Sequence, residues 1–196
     1  ATVPWNFERQ VNLFRDQQTQ RKIEVKFDRI DELVGANLDR DQSAAQLLSD
    51  AQNVELTALC ASVREDLKNW REESHAIVSA KDKAQRLGIS AASEKRIGIA
   101  YALAENLPLS QKAYEACRDF YRDAWEIDPC NSWVITQYLS IIAILNREDD
   151  GPVLKELAHK YGILWNAARQ IVQWQIRKSS GEERAYALST LAELSL

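Results

Sequence analysis

The chain has 196 residues, a formal net charge of −4, and only 6 Gly and 4 Pro. That length suits a single domain with a substantial core, and the charge balance gives no electrostatic footprint for nucleic acid. Two histidines without a partner at metal-ligand spacing, three scattered cysteines and no apolar run near the roughly 18 residues of a membrane span exclude the simplest metal, disulfide and transmembrane readings.

Ala, Leu, Glu, Gln and Arg are abundant and β-branched runs between turn signals are scarce, so the chain reads as all-α. The first ten residues, ATVPWNFERQ, lack the charged and apolar regions of a secretory signal. The chain starts at Ala1 and holds no Met, which fits either a removed initiator or a piece of a longer protein. Trp5, Phe7, Val11 and Phe14 open a first helix, with positions 7, 11 and 14 on one face. Gln17, Gln18, Gln20, Arg21 and Lys22 form a polar break or a solvated helical segment. Phe27, Ile30, Val34 and Leu38 then repeat at helical spacing, and Gly35-Ala36-Asn37 loosens that helix end.

Ser43 to Ala51 reads as a short helix around Leu47 and Leu48. A longer one follows on Leu56, Leu59, Cys60, Val63, Leu67 and Trp70, with Arg64, Glu65, Lys68, Arg71 and Glu72 on its solvated side. Ile77 to Leu87 continues the pattern, and Gly88 is placed to end it. Ser90 or Ser93 starts the next helix, with Ile97, Ala100, Tyr101 and Ala104 inward. Asn106-Leu107-Pro108 closes it, and Ser110 caps the one after.

The stretch from Tyr114 to Leu145 organises the rest. Cys117, Phe120, Tyr121 and Ala124 form a one-sided stripe, and Pro129 cannot continue the helix. Asn131 or Ser132 caps a second helix, because a side-chain oxygen accepts a first-turn N–H. That helix is apolar on more than one side, so neighbours must cover it from several directions. Asn146 to Pro152 is the clearest loop. Leu154, Leu157, Ala158 and Tyr161 line a helix that Gly162 closes, and Leu164, Ala168, Ile171, Val172 and Trp174 line another. Ser180 and Glu183 form a capping-box pattern before a last helix carrying Ala185, Leu188, Leu191 and Ala192.

The spacing Cys117-x3-Tyr121-x2-Ala124-x4-Pro129 resembles the second half of a tetratricopeptide repeat (TPR), whose period is about 34 residues. The resemblance implies stacked antiparallel helical hairpins, a TPR-like α-solenoid of about nine or ten helices. Residues 1–196 then form one all-helical domain, with 1–25 an N-terminal arm or packing helix and 90–196 the most repeat-like part. It also implies a concave groove, into which Trp133, Thr136, Gln137 and Ser140 point, with Asn106 at the corresponding place in the preceding helix.

Enzyme chemistry has little to stand on. His75 and His159 stand alone, Glu148-Asp149-Asp150-Gly151 lacks the alternating ligands of a calcium loop, and no phosphate-binding glycine loop or nucleophile elbow is present. Cys60 and Cys117 lie on apolar stripes as free thiols, which suits a reducing, cytoplasmic compartment. The expected function is therefore non-enzymatic: a scaffold or sensor that binds a partner protein, a peptide or an adjoining effector domain of the same chain, as the TPR-like repeat regions of bacterial multidomain signalling proteins do. No metal, cofactor, nucleic acid or membrane span is expected. The rival is a helical bundle with an internal pocket for a small apolar ligand or lipid, lined by Ile141 to Leu145 and the tryptophans.

Overall fold

A computed structural model describes residues 4–35, 48–72, 79–146 and 152–195, with side chains from 14 onward in the first segment and from 159 onward in the last. Among these residues there are seven helices and no strand: α1 (Pro4–Gly35), α2 (Asp50–Glu72), α3 (Ala80–Leu103), α4 (Leu107–Ile127), α5 (Ser132–Leu145), α6 (Pro152–Lys178) and α7 (Gly181–Glu193). The all-α expectation holds, and the described residues carry seven helices where nine or ten were expected over the whole chain. Of the two readings of residues 17–22, the helical segment is the one seen, since they continue α1. Two expected breaks are helical interior: Gly88 lies inside α3 and Gly162 inside α6. A helix-interior glycine costs only about 1 kcal/mol, so a register that stays in phase on both sides carries through it. Ser90 and Ser93 do not start a helix; their hydroxyls donate to the carbonyls of Arg86 and Ile89 one turn back, at 2.8 and 2.9 Å.

The chain divides into two compact units, residues 1–79 with 96–110, and residues 80–95 with 111–196. In the first, Ile23, Phe27, Ile30 and Val34 of α1 are buried, as are Leu56, Cys60, Val63, Leu67 and Trp70 of α2, where the stripe predicts them. Polar contacts fix how these two helices run. Trp70 Nε1 donates to Asp16 at 2.6 Å, Lys22 meets Asp66 at 2.8 Å, and Arg29 meets Glu55 at 2.8 Å. Partners fall along α2 as they rise along α1, so the two are antiparallel. Burial pushes the Asp66 carboxyl up, but hydrogen bonds from Lys22 and Lys26 outweigh it and leave the group below its usual range. Arg96 adds a second clamp, bonded to Glu24 and Asp31 with its guanidinium 4.0 Å from the Phe27 ring centre.

Ser49 starts α2 through a capping box: Gln52 N–H donates to Ser49 Oγ at 3.3 Å, and Ser49 N–H donates to Gln52 Oε1 at 3.0 Å. The expected helix from Ser43 falls mostly on residues 43–47, outside the described residues, as do the loop 147–151, Leu38, Leu47, His75 and Ile77. The side chains of Trp5, Phe7, Val11, Leu154, Leu157 and Ala158 also fall outside them. Phe14 is exposed, so it does not join the core.

In the second unit, two apolar clusters lie against two faces of α5. Val134 and Ile141 pack with Ala91 of α3 and with Cys117, Tyr121 and Ala124 of α4, the stripe residues expected at this crossing. Ile135 packs with Ala168 and Val172 of α6 and Leu194 after α7. Asn131 caps α5, its Oδ1 accepting from Val134 N–H at 3.3 Å. Ser132 Oγ reaches Gln175 at 2.8 Å, while the rings of Tyr138 and Tyr161 sit 6.2 Å apart, so α5 and α6 are antiparallel. Trp165 Nε1 donates to the Leu194 carbonyl at 2.9 Å, which makes α6 and α7 antiparallel too.

The capping box at α7 is absent, since Ser180 stands at the N-cap with no side-chain cap bond. The inward face of α7 is Ala187, Thr190 and Leu194, not Leu188, which is exposed. Leu191, also expected inward, packs half-buried against the Ile135 cluster.

Glu105 has φ 55, in the left-handed region. Asn106 N–H bonds to Tyr101 O at 2.8 Å and Glu105 N–H to Ala102 O at 3.0 Å, a Schellman closure of α3 with Glu at the position that favours glycine. Glu105→Gly is expected to raise stability by about 1 kcal/mol, since a side chain there is strained. Urea titration of the two proteins checks this; a variant no more stable than the parent contradicts the strain.

Candidate functional site

α5 carries no charged residue, yet it buries three polar side chains: Ser132, Thr136 and Gln137. Each needs a partner, because an unpaired buried polar group costs about 1–3 kcal/mol. Thr136 Oγ1 donates to the Ser132 carbonyl at 2.8 Å. Gln137 is met by other helices. Its Nε2 donates to both carboxylate oxygens of Glu193 on α7, at 2.7 and 2.8 Å. Its Oε1 accepts from Lys95 Nζ on α3 at 3.1 Å. The amide thus bridges a cation and an anion and ties three helices together. Amides do not titrate, so the bridge itself neither takes up nor releases a proton.

A thiol and two phenols nearby are held uncharged. Burial pushes the Cys117 thiol up to about 12, with Lys95 opposing and Glu94 adding to the shift. Burial also raises Tyr121, and then Cys117, Tyr186 and Glu193 raise it further. Tyr186 is pushed up to about 12 by burial and then by the Glu193 charge. A thiol so far from ionising is a packing group rather than a nucleophile.

The expected groove residues therefore sit differently from what the repeat pattern implies. Thr136 is 2% exposed and Gln137 7%, and both are bonded inside the unit. Trp133 is half-buried, its ring edge-on to Tyr121 with centres 5.7 Å apart. A Cβ on Gly88 would lie 3.0 Å from the Trp133 ring, so glycine there permits α3 to approach it. Ser140 is half-buried on the same side of α5. Asn106 belongs to the other unit, where its Oδ1 caps α4 by accepting from Leu109 N–H at 3.3 Å. It takes the role expected of Ser110, whose hydroxyl donates to the Gly98 carbonyl at 2.8 Å. Ile141 to Leu145 divide between core and surface, with Ile141 and Ile142 buried and Ala143 and Ile144 exposed.

Lys95 and Glu193 were not legible as partners of Gln137, because they are 42 and 56 residues away in sequence. The outer face of α6 is a second feature. Ile163 is 84% exposed and Trp174 61%, although Trp174 is expected inside. Among the described residues no group of three or more His, Cys, Asp or Glu converges as a metal site would need, and no helix is long and apolar enough to cross a membrane. His159 is exposed. No family model, curated protein or solved structure matches the chain.

Gln137→Glu puts a second carboxylate against Glu193 and is expected to cost about 2 kcal/mol at neutral pH. The difference from the parent should narrow in acid, where protonating the introduced carboxyl removes the repulsion. Denaturation at a series of pH values measures both; a loss independent of pH would mean that Glu193 is not the partner.

At the alkaline end, the Cys117 thiol ionises near 9.0 ordinarily but near 12 when folded. The unfolded chain releases this proton first, so stability is expected to fall as pH rises from about 9 to about 12. Cys117→Ala should flatten that fall, and an equal slope in both proteins would refute the assignment.

Proposed function

We propose that the chain is a non-enzymatic helical interaction module, a scaffold or sensor that binds a partner protein or an adjoining domain. The exposed face of α6 supports the reading most directly. Ile163, Ala167, Gln170 and Trp174 fall on one side of the helix, all exposed. Tryptophan is enriched at binding hot spots, and here one is held facing solvent on the same side of the helix as an exposed isoleucine. The bonded state of Ser132, Thr136 and Gln137 agrees with a structural rather than catalytic role for α5. The TPR-like pattern at Cys117 to Pro129 is in keeping with this role, and the buried thiols suit a cytoplasmic setting.

A photo-crosslinking residue placed at position 174 in the native host tests the proposal, with one at exposed Val54 as control. The expected result is a small set of protein adducts from position 174 that the control lacks. Trp174→Ala should weaken capture of the same partner by about 2 kcal/mol or more, with melting shifted by no more than a surface change allows. Adducts identical at both positions would overturn the proposal.

A further inference from the structure

The outer face of α6 carries charge of one sign. From 159 to 178 the helix holds Lys160, Arg169, Arg177 and Lys178 and no acidic residue, in a chain whose net charge is −4. None of these four cations forms an ion pair among the described residues. Their placement is uneven. At about 100° per residue, Lys160, Arg177 and Lys178 lie within roughly 60° of the line joining Ile163 to Trp174, at its two ends. Arg169 points elsewhere, over the Trp165 ring at 5.3 Å. Arg177 and Lys178 also suit the negative end of the helix, and the Lys160 ammonium lies 5.3 Å from the Tyr161 ring centre, at the other end of that line.

The surface is thus an apolar ridge, about 16 Å from Ile163 to Trp174, with a positive charge at each end. Its middle is not suited to lipid. Asn166 and Gln170 lie between the apolar side chains, and both are exposed. Amides there gain hydrogen bonds against a protein and lose them in acyl chains. A basic, partly apolar helix face of this kind complements a helix of the opposite pattern.

Resting on the interaction-module reading, we propose that α6 docks an acidic amphipathic helix of the partner. That helix lays an apolar stripe along Ile163, Ala167 and Trp174 and places carboxylates at Lys160 and at Arg177 and Lys178. The charges guide and align the encounter, and Trp174 supplies the buried anchor.

Calorimetry on the full chain tests this with an 18-residue peptide carrying Leu at helical a/d spacing and Glu elsewhere, beside its Gln counterpart. Vesicles of phosphatidylserine with phosphatidylcholine form a third arm. The acidic peptide is expected to bind at least about tenfold more tightly than the Gln peptide at low salt. That advantage should shrink as salt is added, and Trp174→Ala should abolish binding. The triple change K160E/R177E/K178E should transfer the preference to a Lys-bearing peptide. Equal binding of both peptides, no binding, or binding of vesicles in place of peptide would each overturn the inference. If position 174 crosslinks a protein while the acidic peptide does not bind, the module reading stands and this one falls.

Discussion

A helix with no charged side chain cannot tolerate much water, and α5 imposes that condition on its whole unit. Its sequence SWVITQYLSIIAIL offers apolar groups around most of its circumference. Burial at about 25 cal/mol per Å² then favours covering it on more than one side. α3 and α4 take the Val134–Ile141 face, and α6 and the end of α7 take the Ile135 face. The cost falls on the polar residues caught between. Ser132, Thr136 and Gln137 are tolerated because each has a bonded partner, and Gln137 has one on each of two other helices. Small residues do the rest of the fitting. Ala91, Ala124 and Ala168 let backbones approach, and Gly88 leaves room for the Trp133 ring.

The other unit is held by a different balance. Its α1–α2 pair buries a continuous stripe from each helix, and its ion pairs lie at the edges. Exposed pairs such as Arg29 with Glu55 contribute little energy each. Their role is to set the register and antiparallel sense that the apolar stripes leave open. Asp66, shared by Lys22 and Lys26, is the most enclosed of these contacts.

What was legible in the sequence follows from how local each signal is. The hinge at Pro129 and the Cys117–Tyr121–Ala124 stripe were readable because proline chemistry and helical spacing act within a few residues. The α2 stripe was readable for the same reason. Continuity through Gly88 and Gly162 was not, because a glycine stops a helix only where the chain also needs to turn. Gly88 is kept by a packing partner on α5, far along the chain. The burial of Thr136 and Gln137 was not readable for a related reason. Position on a helix face is local, but which helices cover that face is set by Lys95 and Glu193, remote in sequence. On α7 Leu191 packs as expected, but the face in contact is turned so that Thr190 is buried and Leu188 exposed.

α6 shows how folding and binding are kept apart on one element. Its inner side is fully engaged: Gln175 holds Ser132, Trp165 holds the Leu194 carbonyl, and Ala168 and Val172 fill the cluster against Ile135. Those contacts fix the helix without any help from Ile163 or Trp174, neither of which packs in either cluster. An exposed tryptophan adds nothing to such a core and raises the risk of nonspecific association. Its presence on the outer face, with cations at both ends, is therefore not explained by stability. A residue that the fold does not need, on a helix the fold holds rigid, is pre-organised for recognition, because little ordering cost remains when a partner arrives.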